Sequence, residues 1–430
     1  MAAPLRIGLA GLGTVGAGVI RLLEANVDLV ARRAGRPIQV AAVSARDRTR
    51  ARGVDLSAFA WEDDATRLAA REDVDVVVEL IGGADGPALT LARATLAAGK
   101  PFVTANKAML AHHGLELARL ADDRGAALRF EAAVAGGIPV IKGLREGAAA
   151  NRLVRVYGIL NGTSNYILSR MGAAGLDFAE ALREAQAAGF AEADPSFDVD
   201  GVDAAHKLSI LASLAFGTRP DLSGVQVEGI RHVRLADIRE ARALGHEIRL
   251  IGRAEIDGDR LHQQVTPALV PAAHPLAAIT GALNAVVAEG DFVGRLLFVG
   301  AGAGAGPTAS AVVADLVGIA RGEAGPAFSL AADLLAEARP AQPGPARFYL
   351  RLDVADRPGV LADVAAVCRD AHVSIESLSQ PAAGPEGTTR IVMVTHESPE
   401  PAARTAAERL AGLSSTLAPP LLMPLLPLEG

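Results

Sequence analysis

Residues 5–25 read LRIGLAGLGTVGAGVIRLLEA, and this stretch decides the fold of the first part of the chain. Its first six residues form an apolar run that predicts a buried strand, and TVGAGVIRLLEA places apolar residues at helical spacing. Where the two meet lies the motif Gly11-Leu12-Gly13-Thr14-Val15-Gly16. There, glycines allow a tight turn and let a dinucleotide pyrophosphate approach the N-terminus of the helix. We predict a dinucleotide-binding site, with a purely structural turn as the alternative.

The pattern that begins here continues over the first third of the chain. Strand-like runs at 38–44, 74–81 and 101–104 alternate with helical patterns. Strands that alternate with helices predict an α/β domain with a parallel sheet and right-handed crossovers. We assign residues 1–135 to this domain.

The rest of the chain reads differently. Longer amphipathic helices and short strands predict an α+β domain over residues 136–306, and a helix opened by Pro307 begins a segment, 307–335, that returns to the first domain. A linker rich in Ala, Pro and Gly spans residues 337–347. The β-α-β-β-α order of residues 348–430 predicts a small ferredoxin-like domain.

Composition excludes several classes of partner. A chain of 430 residues with 50% hydrophobic and 21% charged residues fits two or three globular domains. With 3% aromatic residues and a net charge of -7, it is not expected to bind nucleic acid. No secretory signal is visible and no apolar run reaches the roughly 18 residues of a membrane span. A single cysteine, Cys368, fits a reducing compartment, so we expect a cytoplasmic protein.

Two further motifs follow strands of the predicted parallel sheet. After the second strand, Arg46 and Arg48 favour the 2′-phosphate of NADP, whereas Asp47 favours the ribose hydroxyl of NAD. We favour NADP, with ordinary surface arginines as the alternative. At the end of the 101–104 strand stand Thr104 and Lys107. Since ligands bind beyond the carboxyl ends of such strands, Lys107 is expected to face the cofactor, although it could simply begin a helix.

The stretch AEADPSFDVDGVDAAHKLSIL, residues 191–211, concentrates charge. It could form a solvated loop, a metal site, or a pocket for a cationic group, and its acidic residues are Glu192, Asp194, Asp198, Asp200 and Asp203. Their spacing does not match a calcium loop, and Lys207 would oppose a cation. Asp203 and Lys207 are spaced i,i+4 and therefore share one helix face.

Several motifs together resemble one family over almost the whole chain. They are GLGTVG, TANKAML, FEAAVAGGIPVI, GILNGTSNYIL, GFAEADPSFDVDGVDAAHKLSIL and GAGAGPTASAVVADL. Their order and intervals resemble homoserine dehydrogenase, and the DRPGVL turn at 356–361 resembles that of an ACT domain. The resemblance implies a Rossmann-type domain, an α+β catalytic and dimerisation domain, and a C-terminal ferredoxin-like ACT domain. It also implies the NAD(P)H-dependent reduction of L-aspartate 4-semialdehyde to L-homoserine, in threonine, methionine and isoleucine biosynthesis.

The same resemblance implies roles for individual residues. Those implied to bind or face the cofactor are Gly11, Leu12, Gly13, Thr14, Val15, Gly16, Arg46, Thr104, Lys107, Gly302 and Gly304. Those implied to hold the amino-acid substrate are Gly162, Thr163, Glu192, Asp198, Asp203 and Lys207. Lys207 is the implied proton donor, with Lys107 as the alternative, and Asp194 and Asp200 are expected in turns and a helix cap.

A monovalent cation, threonine control and an oligomer are also implied. The cation, typically Na⁺, would be held by Glu131 and by the carbonyls of Val134, Gly136 and Ile138. Threonine is the expected effector of the ACT domain, and a homodimer or homotetramer is the expected assembly. The nearest enzymatic rival, aspartate-semialdehyde dehydrogenase, needs a catalytic thiol, and Cys368 lies in the wrong domain. A sugar dehydrogenase would show Glu-Lys-Pro at 106–108, and a non-catalytic sensor would not need both lysines.

Overall fold

The computed structural model describes residues 2–381 and 387–428, which build three sheets. The first is a six-stranded parallel sheet in the order β3-β2-β1-β4-β5-β6. Its strands β1–β6 are Leu5–Ala10, Ile38–Ser44, Ala60–Glu62, Val76–Glu79, Phe102–Thr104 and Leu128–Arg129. Helices α1–α4 of this part are Thr14–Ala25, Val27–Ala34, Pro87–Ala97 and Lys107–Arg124, with a 3-10 helix at Ala65–Ala70. The predicted parallel sheet is confirmed.

The second sheet is mixed and has seven strands. The order is β12-β11-β7-β9-β10-β13, with β8 also paired to β10. Strands β7–β13 are Leu153–Ile159, Val225–Val227, His246–Asp257, Arg260–Pro271, Leu283–Gly290, Gly294–Ala301 and Arg339–Pro340. Helices α5–α10 are Val140–Lys142, Gly162–Ala174, Phe178–Ala187, Ser196–Val199, Val202–Phe216 and Leu235–Ala243. Short helical turns lie at Glu131–Ala133, Gly143–Gly147, Pro275–Ala278 and Ala332–Leu334.

Two features of this part differ from the sequence expectation. Strands β9 and β10 are 12 residues each rather than short, because they form one continuous antiparallel hairpin. Helix α11 is Ala305–Ala320 and so begins two residues before Pro307. Its residues Ala309, Val312 and Leu316 are buried in one hydrophobic cluster with strand β1 and helix α1. Helix α11 therefore packs against the parallel-sheet part of the chain.

The third sheet is antiparallel, in the order β15-β16-β14-β17. Strands β14–β17 are Phe348–Ala355, Ile375–Ser379, Thr388–Thr395 and Leu421–Pro424, and helices α12 and α13 are Val360–Asp370 and Glu400–Ala411. The predicted ferredoxin-like order is confirmed, and the proline-containing tail adds the edge strand β17. Leu421 and Met423 of that strand are buried, which explains why an apolar tail pairs here. Among the described helices, none has the length and apolar character needed to span a bilayer.

A buried polar contact joins the third sheet to the second part of the chain. The Tyr349 hydroxyl donates to Asp237 Oδ1 at 2.9 Å, and Arg351 Nη1 lies 3.1 Å from Asp237 Oδ2. All three residues are buried. Because a buried charge is costly unless paired, this contact fixes strand β14 against helix α10.

Candidate active site

The glycine motif forms a tight turn with an open side. Gly11 has φ +94°, and a Cβ there would lie 2.4 Å from the backbone of Leu80. A Cβ on Gly16 would lie 2.1 Å from the Gly11 carbonyl oxygen, so both positions require glycine. Gly13, at the cap of helix α1, has open space where its side chain would be. The backbone N–H groups at this helix N-terminus are thus accessible to a dinucleotide pyrophosphate, and the turn fits that group.

Arginines and one aromatic ring lie beyond strand β2. Arg46 is exposed, and the guanidinium of Arg48 lies 5.6 Å from the centre of the Trp61 ring. Arg52 was not among the predicted site residues. Its guanidinium lies 5.8 Å from the centre of the same ring, and its Nε donates to the Leu12 carbonyl at 3.1 Å. The alternating arginines at 46, 48, 50 and 52 were the available signal. They place positive charge next to the glycine turn.

Thr104 and Lys107 were both predicted to face the cofactor, but their side chains make different contacts. The Thr104 hydroxyl is buried and donates to Glu79 Oε2 at 2.6 Å, while Glu79 Oε1 accepts the backbone N–H groups of Ile81 and Gly82. Thr104 therefore supports the turn after strand β4. Lys107 is the first residue of helix α4, after the cap residue Asn106, and it lines a cavity.

This cavity, with a volume of about 590 Å³, lies where the first and second parts of the chain meet. It brings together residues that the sequence analysis singled out from six separate segments: Val15, Lys107, Gly136, Gly162, Thr163, Glu192, Asp198, Asp203, Lys207, Gly302 and Gly304. Its size suits a small amino acid next to the reactive end of a dinucleotide.

Two lysines converge on one carboxylate in the cavity. Lys207 Nζ lies 2.7 Å from Asp203 Oδ2, and Lys107 Nζ lies 2.7 Å from Asp203 Oδ1. Lys207 Nζ also donates to the carbonyl of Leu160 at 2.7 Å. The side chains of Lys207 and Asp203 are 9% and 4% exposed, while that of Lys107 is 33% exposed. The predicted i,i+4 pair is therefore a buried pair, and a second lysine completes it.

The electrostatics of these groups follow from that geometry. Burial lowers the pKa of Lys207, and the nearby Lys107 ammonium lowers it further, although Asp203 acts in the opposite direction. Burial disfavours the charge on Asp203, but Lys207 and Lys107 outweigh it and hold the pKa of this carboxyl below its usual range. Asp203 is therefore ionised, and Lys207 is easier to deprotonate than an ordinary lysine.

The acidic stretch does not act as one cluster. Asp198 is partly buried, and burial raises its pKa. Glu192 is exposed and lines the same cavity. Asp194 accepts the backbone N–H of Ser196, as expected for a turn. Asp200, expected in a turn or a helix cap, is the C-cap residue of helix α8, and its side chain pairs with Arg231.

Thr163 and Gly162 lie at the start of helix α6. The Thr163 hydroxyl donates to the Phe190 carbonyl at 2.7 Å and so holds the loop that carries Glu192. A Cβ on Gly162 would lie 2.7 Å from the Ala282 carbonyl, so glycine lets the backbone approach this strand connection. Asn161, the cap residue of this helix, contacts both Asp198 and Asp203 and was not among the predicted site residues.

The predicted cation ligands form one buried loop beside the cavity. Glu131 is buried, and its two carboxylate oxygens accept the backbone N–H groups of Ile141 and Lys142, each at 2.9 Å. Burial and the nearby charge of Asp315 raise the pKa of Glu131 to about 7. Ala135 and Gly136 both have positive φ, 56° and 54°. This donor set of one buried carboxylate and loop carbonyls fits a weakly charged hard cation.

The acidic stretch at 191–211 does not form a metal site of acidic side chains. Across residues 2–381 and 387–428, no group of three or more His, Cys, Asp or Glu side chains is arranged to hold a metal ion.

Family models match almost the whole length of the chain. Residues 11–131 match the homoserine dehydrogenase NAD-binding domain, residues 139–317 match homoserine dehydrogenase, and residues 348–414 match the ACT domain. A homoserine dehydrogenase of Neisseria gonorrhoeae is 44% identical over 418 residues, covering 95% of this chain and 96% of the relative. One from Mycobacterium tuberculosis is 45% identical over 426 residues, covering 95% of each.

Solved structures agree with these matches. The crystal structure of a homoserine dehydrogenase from Thiobacillus denitrificans has a TM-score of 0.93 at 40% identity and covers 99% of both chains. A hyperthermophilic archaeal homoserine dehydrogenase mutant, in complex with NADPH, has a TM-score of 0.63 at 25% identity, covering 74% of this chain and 97% of that one.

Proposed function

The chain belongs to the homoserine dehydrogenase family and is an NAD(P)-dependent oxidoreductase, and we propose that the cavity around Asp203 is where L-aspartate 4-semialdehyde and L-homoserine are interconverted. One observation carries this placement. Lys107 and Lys207 meet at one buried carboxylate, in a cavity that is also lined by the glycine turns expected to hold the dinucleotide.

The lysines supply the proton chemistry. When bound, the nicotinamide cofactor supplies or accepts the hydride. Reduction of the aldehyde leaves an alkoxide, and the Lys207 ammonium stabilises this charge and delivers a proton to its oxygen. In the oxidative direction, the neutral Lys207 amine accepts the hydroxyl proton. We assign this role to Lys207 because it is more buried than Lys107 and has the lowered pKa.

Carboxylates hold the amino-acid part of the substrate. Its α-ammonium requires acceptors, and Glu192 and Asp198 line the cavity with carboxylate oxygens. Asp203 was predicted to hold the substrate too, but both of its oxygens already contact lysines. Its proposed role is therefore to orient Lys207 and Lys107.

NADP is the proposed cofactor, and Na⁺ the proposed cation. Arg46, Arg48 and Arg52 follow strand β2, after which a 2′-phosphate is expected to bind, and Arg48 and Arg52 share the Trp61 ring. A family member was solved with NADPH. The buried loop of Glu131, Val134, Gly136 and Ile138 would hold the cation. Since the same loop touches Gly302, with a Cβ on Gly136 reaching 2.5 Å from its carbonyl, the cation would stabilise one wall of the cavity.

Regulation and assembly complete the proposal. The domain over 348–430 would bind threonine near the turn that contains Asp356, Gly359 and Leu361. A second copy of the chain would pack against the edge strand β12, where Leu297 and Val299 are 43% and 45% exposed. The proposed assembly is a homodimer or a homotetramer. A cytoplasmic location remains a prediction from the sequence.

One assay tests the proposed activity. Absorbance at 340 nm should rise when the protein is mixed with L-homoserine and NADP, and D-homoserine serves as the matched control. No signal with either NADP or NAD would contradict the proposed reaction.

A further inference from the structure

Asn161 contacts two carboxylates of the cavity, those of Asp198 and Asp203. Its side chain is 3% exposed. Nδ2 donates to Asp198 Oδ1 at 2.7 Å and to Asp203 Oδ2 at 2.8 Å, while Oδ1 accepts the backbone N–H of Ser164 at 2.8 Å. All the strong hydrogen-bonding groups of this amide are thus engaged.

The helix cap determines which way the amide points. A cap requires an acceptor, so Oδ1 must face the first turn of helix α6. The two N–H donors then have to face the two carboxylates. The orientation of the amide is therefore set by the backbone at the start of α6.

We propose that Asn161 is a positioning residue for the reaction, which holds the substrate-binding carboxylate of Asp198 at a fixed place relative to the Asp203–Lys207 pair. This inference rests on the proposed function of the cavity. The chemistry needs such a link, because the substrate's ammonium and its reacting oxygen lie at opposite ends of one small molecule. The carboxylate that binds the first end must be in register with the lysine that serves the second end.

The same contact also favours the ionised form of Asp198. Burial raises the pKa of Asp198, the charge of Asp203 raises it further, and the hydrogen bond from Asn161 acts in the opposite direction. The other charged groups that share this cavity are Lys207, Lys107 and Glu192. Loss of the amide donor removes a stabilising contact from the ionised form, so Asp198 should then take up a proton at a higher pH.

Asn161→Ser separates this role from the helix cap. Serine retains a cap acceptor but has no amide donors. For homoserine oxidation, we expect kcat/KM at neutral pH to fall by about tenfold or more, with most of the loss in KM, and the acidic limb of its pH profile to move to higher pH. Asn161→Asp also retains the cap, but it adds a third carboxylate and should lose more activity than the serine variant above neutral pH.

A matched control and a second readout complete the test. Asp177→Ser also places a serine at a helix cap, the exposed cap of helix α7, whose cap residue does not line the cavity, and it should leave the pH profile unchanged. The carboxyl titration of Asp198 can be followed by NMR of ¹³C-aspartate-labelled protein, and it should move upward in Asn161→Ser even if homoserine proved not to be the substrate.

These readouts separate the possible failures. If the wild type does not oxidise homoserine but the Asp198 titration moves, the proposed function fails, whereas the effect of Asn161 on the Asp198 carboxylate stands. If Asn161→Ser shows an unmoved acidic limb and an unmoved Asp198 titration, Asn161 is only a helix cap and the inference is overturned.

Discussion

Lys107 and Lys207 lie on different helices, α4 and α9, and the ammonium of each is 2.7 Å from an oxygen of the Asp203 carboxylate. The Asp203 carboxylate therefore holds both ammonium groups, and the ammonium of Lys207 is almost completely buried. The Lys107 ammonium disfavours the charge on Lys207, while the Asp203 carboxylate favours it. A change at either lysine must alter the other.

Replacement of Lys207 should abolish catalysis. Lys207→Ala removes the proposed proton donor, so kcat should fall by about 10²–10⁴-fold. It also leaves Asp203 with one lysine instead of two, and a buried charge that loses a partner destabilises the fold by up to roughly 3–5 kcal/mol. Lys207→Arg retains the charge but cannot deprotonate, and so it should recover stability without activity. Steady-state kinetics and thermal unfolding of both variants check this. A well-folded Lys207→Ala that keeps more than about a tenth of wild-type kcat would contradict the assignment.

Lys107→Met should change the pH dependence of homoserine oxidation. The oxidative direction needs Lys207 as the neutral amine, so kcat rises with pH through the pKa of Lys207. Burial lowers that pKa, and Lys107 lowers it further. Without the Lys107 charge the pKa of Lys207 rises, and the limb where kcat increases should move to higher pH. Profiles of kcat against pH for the two proteins measure this. A limb that does not move would show that Lys107 has no influence on the proton-transferring group, and a limb that moves to lower pH would contradict the stated direction of that influence.

The sequence predicted the parts of this site better than their connections. Asp203 and Lys207 were predictable as a pair because helical periodicity puts residues i and i+4 on one face. The glycine turn was predictable because its strand and helix are local. The contact between Lys107 and Asp203 was not, since 96 residues separate them in sequence and only the tertiary fold brings them together. Asn161 was missed for the same reason, because its pattern alone indicates only a helix cap.

Removal of Arg46 should reduce the preference for NADP. Arg46 is exposed and has positive neighbours, and a hydrogen-bonded phosphate contact contributes about tenfold or more to affinity. Arg46→Ala should therefore raise KM for NADP and leave KM for NAD unchanged. Arg32→Ala, an exposed arginine on helix α2, is the control. Kinetics of the wild type that favour NAD by about tenfold or more in kcat/KM would contradict the proposed preference.

Sodium should stabilise the wild type through Glu131. A cation that binds only the folded state raises the unfolding temperature by mass action, here by about 1–3 °C for a chain of this size. The comparison is between sodium chloride and choline chloride at equal ionic strength. In Glu131→Gln the unfolding temperature should be the same in the two salts. It should be lower than that of the wild type in both, because glutamine has one side-chain oxygen and can accept only one of the two backbone N–H groups that Glu131 accepts. An equal effect of both salts on the wild type would argue against the cation site.

Threonine inhibition, if it acts through the C-terminal domain, should depend on Asp237. The carboxylate of Asp237 binds Tyr349 and Arg351 of strand β14, and its helix α10 also reaches α6, where Arg242 donates to the carbonyl of Gly172. Helix α6 begins at Gly162 in the cavity wall, so α10 is a physical connection between the two domains.

Asp237→Asn retains the size of the side chain but removes the buried charge that Arg351 needs. We expect the activity of the wild type to fall at millimolar threonine. The variant should need about tenfold more threonine for the same inhibition. Its kcat without threonine should change little. Arg234→Ala is the matched control, because it removes an exposed ion pair with Asp353 at the same junction, and exposed pairs contribute little. Activity that does not respond to threonine in the wild type would show that this domain binds another ligand or none. Equal inhibition of wild type and Asp237→Asn would show that the signal takes another route.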